Sequence, residues 1–280
     1  MDKATDSRFE RDSQFEREVR AGRRFEFGKN WSRFLTTLDE RRIEDAEAGF
    51  FEMLGTSSLD GLTFLDAGSG SGLSSLVARR SGAAVTSFDF DPQSTDCTRR
   101  LKARYYPDDP AWRVVPGSVL DEAFLASLGR FDMVYSWGVL HHTGDMWAAM
   151  DNVAGSVAPD GTLFIMIYAD EGWKSDVWRA VKRFYCSGPV GRFLTLGLFV
   201  PYYLSRGAIE DLLALRNPVR RYREYSRTSR GMSKFHDWID WLGGYPFETA
   251  NADEIVAFLE PRGFRLRKRD GQQYVFAREG

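Results

Sequence analysis

The apolar positions change their spacing along the chain, and the changes mark out its parts. Among the first 55 residues Phe9, Phe15 and Val19 stand among Arg and Glu, the spacing of a helix with one apolar edge. Gly28 interrupts this pattern. A second helix is predicted from about Ser32 to Leu54, with Gly55 as its stop. From Leu62 onward short apolar runs alternate with amphipathic stretches. Strands are predicted at Leu62–Leu65, Ala84–Asp89, Trp112–Val115, Phe131–Tyr135 and Gly161–Tyr168. Helices are predicted at Leu73–Arg80, Pro92–Tyr105, Asp121–Leu128 and Met146–Val157. Strands this apolar are covered by helices on both faces, as in a parallel sheet. The alternation itself implies right-handed βαβ units. Between Ala169 and Glu248 the texture turns helical and aromatic, with no strand pattern. Order resumes with a helix capped by Thr249 and running to about Arg262. A last strand pair, Phe264–Lys268 and Gln273–Ala277, turns at Asp270-Gly271.

These elements add up to a Rossmann-like, doubly wound α/β sheet of seven strands. Residues 1–55 form an N-terminal helical lid, residues 56–168 and 249–280 the core, and residues 169–248 a helical, substrate-covering insertion after strand 5. Composition sharpens this in three respects. Aromatic residues make up 14% of the chain, with 8 Trp and 21 Phe, which suits a ring-lined pocket. The formal charge of −2 gives no global attraction to nucleic acid, and no nucleic-acid partner is expected. Two distant cysteines, Cys97 and Cys186, and a charged beginning with no apolar run behind it point to the cytoplasm. One apolar stretch, Phe193–Leu204, is too short for a membrane span and is broken by Pro201. It reads as a buried or pocket-covering helix.

In open α/β sheets ligands bind beyond the carboxyl ends of the strands. The loop there after the first strand is Asp66-Ala67-Gly68-Ser69-Gly70-Ser71-Gly72. Alternating glycines let the backbone turn sharply and let a ligand come close. Leu73 stands where a dinucleotide fold wants its third glycine, so the pattern is G-x-G-x-G. Asp66 would repel a pyrophosphate but tolerate an ammonium or sulfonium. Asp89 closes the second strand, and a carboxylate there can accept two ribose hydroxyls.

With those residues in place a resemblance becomes specific. Leu65–Leu76, Val85–Pro92 and Phe131–His142 together resemble class I S-adenosylmethionine-dependent methyltransferases. The small-molecule branch that includes ubiquinone and menaquinone biosynthesis methyltransferases is the most similar. The resemblance implies S-adenosyl-L-methionine as cofactor. It places Gly68, Ser69, Gly70 and Gly72 at the methionine part, Asp89 at the ribose with Phe90 beside it, and Ser118 and Val119 beside adenine. Many relatives carry Asp at position 118, so adenine would here rest more on backbone or on Asp121. Ser136 and Trp137 would face the methyl-bearing end, and a segment with Phe25, Phe27, Asn30 and Trp31 would fold over the cofactor. The expected acceptor is a small molecule, methylated on oxygen. The alternative is an RNA or protein methyltransferase using the run Arg216, Arg220, Arg221, Arg223, Arg227 and Arg230.

The donor is already activated, so a base is needed only if the acceptor must lose a proton. The three histidines, His141, His142 and His236, are the catalytic candidates. No cysteine or nearby carboxylate completes a zinc set around them, and no metal is expected. On the acceptor side the candidates are Tyr168, Asp237, Asp240 and Tyr245. His236 and Asp240, four apart, would share a helix face.

Overall fold

The computed structural model describes residues 14–217 and 234–280. Residues 14–20 form helix α1. Then come α2 (Gly28–Thr37), α3 (Glu40–Leu54), β1 (Thr63–Ala67), α4 (Leu73–Arg80), β2 (Ala84–Asp89), α5 (Pro92–Tyr105), β3 (Trp112–Pro116), α6 (Glu122–Leu128) and β4 (Phe131–Trp137). The second half runs α7 (Met146–Gly155), β5 (Val157–Met166), α8 (Trp173–Cys186), α9 (Pro189–Leu213), α10 (Lys234–Gly243), α11 (Ala252–Leu259), β6 (Phe264–Asp270) and β7 (Gln273–Arg278). The seven strands make one sheet in the order β3-β2-β1-β4-β5-β7-β6. The first five pair in parallel, and β7 enters antiparallel between β5 and β6.

Neighbouring strand residues point to opposite faces, which is why the strands read as continuous apolar runs. Leu65, Val134 and Ile165 join the core beneath α7 and α11, with Met150, Val153 and Ile255. Phe64, Met133 and Phe164 join the opposite core, with Ile43 and Phe50 of α3 and Leu76 of α4. A third, smaller cluster unites the N-terminal segment with the insertion. Phe25, Tyr185 and Leu242 are its buried centre, and Phe27, Trp178, Phe199 and Trp241 pack around it.

Three boundaries differ from the sequence reading. The helix expected from Ser32 to Leu54 is two helices, because Leu38 is extended and Asp39 caps α3 by accepting from the Arg42 N–H at 3.0 Å. The helix expected from Met146 to Val157 stops at Gly155, and β5 begins at Val157 rather than Gly161. The last helix is capped by Asn251 in a capping box with Glu254, whereas the Thr249 hydroxyl bonds Asp170 at 3.1 Å. The stretch Phe193–Leu204, read as buried or pocket-covering, lies in α9 with Phe193 75% exposed. In α9 Gly191, Thr195, Gly207 and Asp211 are buried and Phe199 and Tyr203 half-buried, so every fourth residue faces inward and the large aliphatics between them face out. Among the described residues no helix is long and apolar enough to cross a membrane.

Candidate active site

All five parallel strands end on one edge of the sheet, and the candidate residues gather in the loops beyond it. Gly68 and Ser69 N–H both donate to the Phe88 carbonyl, at 2.9 and 3.0 Å, which folds the glycine loop back over β2. Gly70 has φ +53°, and a Cβ there would lie 3.1 Å from the Trp31 indole nitrogen. Glycine is therefore required both by the turn and by the close approach of a ring. The Gly70 N–H donates to Asp89 Oδ2 at 2.9 Å, and the Asp91 N–H donates to Asp89 Oδ1 at 2.8 Å. Burial, with Asp91 as a nearby like charge, pushes the Asp89 carboxyl up to about 7.

Asp66 is buried below this loop, and its carboxylate accepts from the Ser75 hydroxyl. Ser75 also bonds Ser87 at 2.7 Å, and the Trp112 indole donates to Ser87 at 2.9 Å. Burial pushes Asp66 up to about 7 as well. Ser69 shares a hydrogen bond of 2.9 Å with Thr98 of α5. The ring of Phe90 lies 5.7 Å from that of Phe15, with the Arg24 guanidinium 4.8 Å above it. Ser118 and Val119 follow β3. The Ser118 hydroxyl accepts from the Leu120 N–H, the Val119 carbonyl accepts from Asn152, and Asp121 caps α6. Ser136 is buried and donates to the Ala67 carbonyl at 2.8 Å, tying β4 to β1. Trp137 turns its indole to Gln273 at the start of β7, 3.1 Å away.

The first turn of α2 joins this loop to a second site. Gly28 N–H donates to Asp91 Oδ2 at 2.7 Å, Asn30 donates to the Asp240 carboxylate, and Trp31 lies against Gly70. The approach of α2 to α5 is close enough that a Cβ on Gly28 would sit 2.5 Å from the Gln93 Cβ. Just before it, Arg24 donates to the carbonyls of His142 and Thr143, and Phe25 N–H donates to the Tyr245 carbonyl.

The second site is a cavity of about 190 Å³. Phe27, Tyr168 and Trp241 supply its aromatic walls, and His142, Lys182, Asp237 and Asp240 its polar groups. Tyr245 does not line it. Lys182 is fully buried on α8, donates to the Trp241 carbonyl, and has its ammonium 4.0 Å from the Trp241 ring centre and 4.8 Å from that of Phe247. Burial lowers Lys182 to about 7 and raises Asp240 to about 8. Each counters the other's shift, because each favours the other's charged form.

The histidine pair stands at the same junction. His142 Nδ1 lies 2.6 Å from the Pro246 carbonyl, so that nitrogen carries the proton and Nε2 is left as an acceptor. Burial lowers His142 to about 3. His141 is fully buried with its ring 4.0 Å from that of Tyr168, and burial holds it well below the ordinary range. Both rings are neutral at physiological pH and are weak proton acceptors. His236 lies on α10, and its side chain falls outside the described residues, as do Arg220, Arg221, Arg223, Arg227 and Arg230. The residue that sequence reasoning missed is Lys182. Its signal is positional: Ser175, Trp178, Lys182 and Tyr185 recur on the inward face of α8, where a lysine has no solvent.

Comparison with known proteins places the chain in a family. A family described as a methyltransferase domain matches residues 24–217. A ubiquinone biosynthesis O-methyltransferase of Methylobacterium sp. (strain 4-46) is 32% identical over 111 residues, covering 40% of this chain and 43% of that protein. A tRNA U34 carboxymethyltransferase of Chromohalobacter salexigens is 27% identical over 187 residues, 66% of this chain and 55% of that protein. The chain thus spans about half the length of these curated relatives. Among solved structures, an O-methyltransferase family protein from Burkholderia thailandensis superposes with a TM-score of 0.50 at 14% identity, covering 99% of this chain and 70% of that one. That likeness is one of fold.

Proposed function

Because the chain belongs to the methyltransferase-domain family, S-adenosylmethionine-dependent enzymes on the class I fold, we propose that it methylates an oxygen of a small acceptor whose reactive end enters the cavity beside Lys182. The residues at the strand ends fit the cofactor. Each Asp89 oxygen accepts one backbone N–H, which leaves lone pairs for two ribose hydroxyls. The missing Cβ of Gly70 lets the Trp31 ring of α2 lie directly against the loop that would hold the cofactor. Bound S-adenosylmethionine supplies a methyl group on a positively charged sulfur, open to in-line displacement.

The observation that carries the acceptor reading is Lys182, an ammonium held inside an aromatic cavity one helical turn of α2 away from the glycine loop. A cavity of about 150 Å³ holds a benzene ring, so about 190 Å³ admits one small ring or a short unsaturated chain. Inside it Lys182 stabilises an acceptor oxyanion as the proton leaves. Asp240, with a pKa near the working pH, takes that proton more readily than either histidine. His142 Nε2 accepts a second hydrogen bond and orients the acceptor. On this reading residues 1–55 act as lid and residues 169–248 as the cover of the acceptor.

The test is transfer from deuterated-methyl S-adenosylmethionine to a panel of phenols, enols and carboxylic acids, read by mass spectrometry. The expected product carries the label on oxygen, and Lys182→Met slows its formation by about 10²–10³-fold with S-adenosylmethionine binding unchanged. Equal rates in wild type and Lys182→Met sink the reading. Label appearing in tRNA instead turns it toward the second relative.

A further inference from the structure

Outside the sites described, the largest anomaly is on α8 and α9. Apart from Leu62 and Leu120, which are marginal, every exposed large apolar side chain among the described residues lies between Trp173 and Leu215. On α9 the pattern is concentrated further. Before Pro201, Val190, Leu194 and Leu198 recur every fourth residue on its outer side, and after it Ile209, Leu212 and Leu213 stand exposed. Val190 is 71% exposed, Leu198 68% and Leu213 82%. A water-facing helix does not need so many exposed apolar side chains, and an exposed apolar patch of this kind marks a contact surface.

The charge of the same segment says what the surface meets. The described residues 173–217 carry seven Lys and Arg against three Asp and Glu, a formal net of +4, in a chain whose whole stands at −2. A second copy seated symmetrically on this face would bring +4 against +4, which opposes the contact. An RNA would answer the charge and could stack on Trp173, Phe184, Phe193 or Tyr202, but the other nine exposed apolar side chains of this segment are aliphatic and offer bases no ring. An anionic lipid surface answers both. Aliphatic side chains enter the boundary between headgroups and acyl chains, and cations meet the phosphates. Among the described residues no helix is long and apolar enough to span a bilayer, so the contact is with one leaflet.

We infer that the outer face of α9 docks in the plane of an anionic membrane surface, with Val190, Leu194, Leu198, Ile209 and Leu213 entering the lipid. Arg192 and Arg206 stand exposed on the same helix, Arg206 in an ion pair with Glu210. The inner side of the same helix packs Phe199 against Trp178 and Tyr203 against Trp238, next to the helix that carries Lys182. Docking therefore brings the cavity close to the interface. The inference stands on exposure and charge and does not depend on the acceptor proposed above.

The test is flotation of the full chain with vesicles of phosphatidylcholine alone or mixed equally with phosphatidylglycerol. The protein is expected to float with the anionic vesicles only. The double variant Leu198→Ser/Ile209→Ser, both sites exposed, should weaken this at least roughly tenfold, while S-adenosylmethionine binding is kept. Raising salt from about 0.1 M to about 1 M should also weaken it. Absence of flotation overturns the inference, as does equal flotation of the variant. A dimer that the two substitutions convert to monomer assigns the face to a second copy, and a labelled RNA that displaces the vesicles through the same two residues assigns it to RNA. Both of these results overturn it too.

Discussion

At the residue scale the main feature is that charged groups are buried with few partners, so their protonation is easily moved. Asp89 is pushed up to about 7, and on the proposed reading its ionised form is the one that would accept two ribose hydroxyls. Affinity for S-adenosylmethionine should therefore fall as pH drops below about 7, approaching tenfold per unit. Asp89→Asn should flatten that dependence in calorimetric titrations. Lys182 shifts the other way, with a folded pKa of about 7 against about 10.4 for a free lysine. Its contribution to stability is present above about pH 10.4 and is lost as pH falls through about 7. Lys182→Met should thus melt higher than wild type near pH 6, with the difference shrinking toward pH 10–11. A constant difference across that range would show that Lys182 is not depressed. Asp89 was legible from its place at the end of an apolar run. Lys182 was not, because its character comes from Trp241 and Phe247, 59 and 65 positions away, which no local pattern links to it.

At the element scale the strands and helices of the sheet were legible because each is bounded by its own chemistry: proline at the start of α5, glycine at the turn before α4, alternating cores on β1, β4 and β5. Two kinds of boundary were not. The break between α2 and α3 rests on Asp39, one acidic residue among many in a charged region. The start of β5 at Val157 depends on pairing with Phe131 across the sheet. The orientation of α9 was also hidden, since an apolar helix reads the same whichever face it turns inward. The α2 turn gives a direct test of how elements meet. Gly28→Ala would place a Cβ 2.5 Å from Gln93 and 2.8 Å from Asp91, so α2 must move off α5. We expect S-adenosylmethionine affinity to fall about tenfold or more, faster trypsin cleavage around residues 23–33, and a melting temperature lowered by a few degrees. Unchanged cleavage would show that α2 does not depend on this approach.

At the scale of the whole molecule, three clusters divide the work. Two cover the faces of the sheet and hold the glycine loop at its edge. The third unites the N-terminal segment with the insertion and builds the cavity. Sequence reading implied the first two by having helices cover both faces of the sheet, without the part that Ile43 and Phe50 of α3 play there, and described the third only as aromatic and helical. Occupying the glycine loop should stabilise the whole assembly: at S-adenosylmethionine about a hundredfold over its Kd, about 2.7 kcal/mol is expected, seen as a rise of roughly 5–10 °C in melting temperature. A wild-type chain that shows no rise would not be using that loop. One more result follows from the four residues Gly28 to Trp31, which touch Asp91, Asp240 and Gly70 together. On the proposed reading they would act as a single door over two rooms. The two compartments would then open together, so loosening this latch by Asn30→Ala should raise the KM of both reactants at once, and steady-state kinetics with each reactant varied in turn would show it.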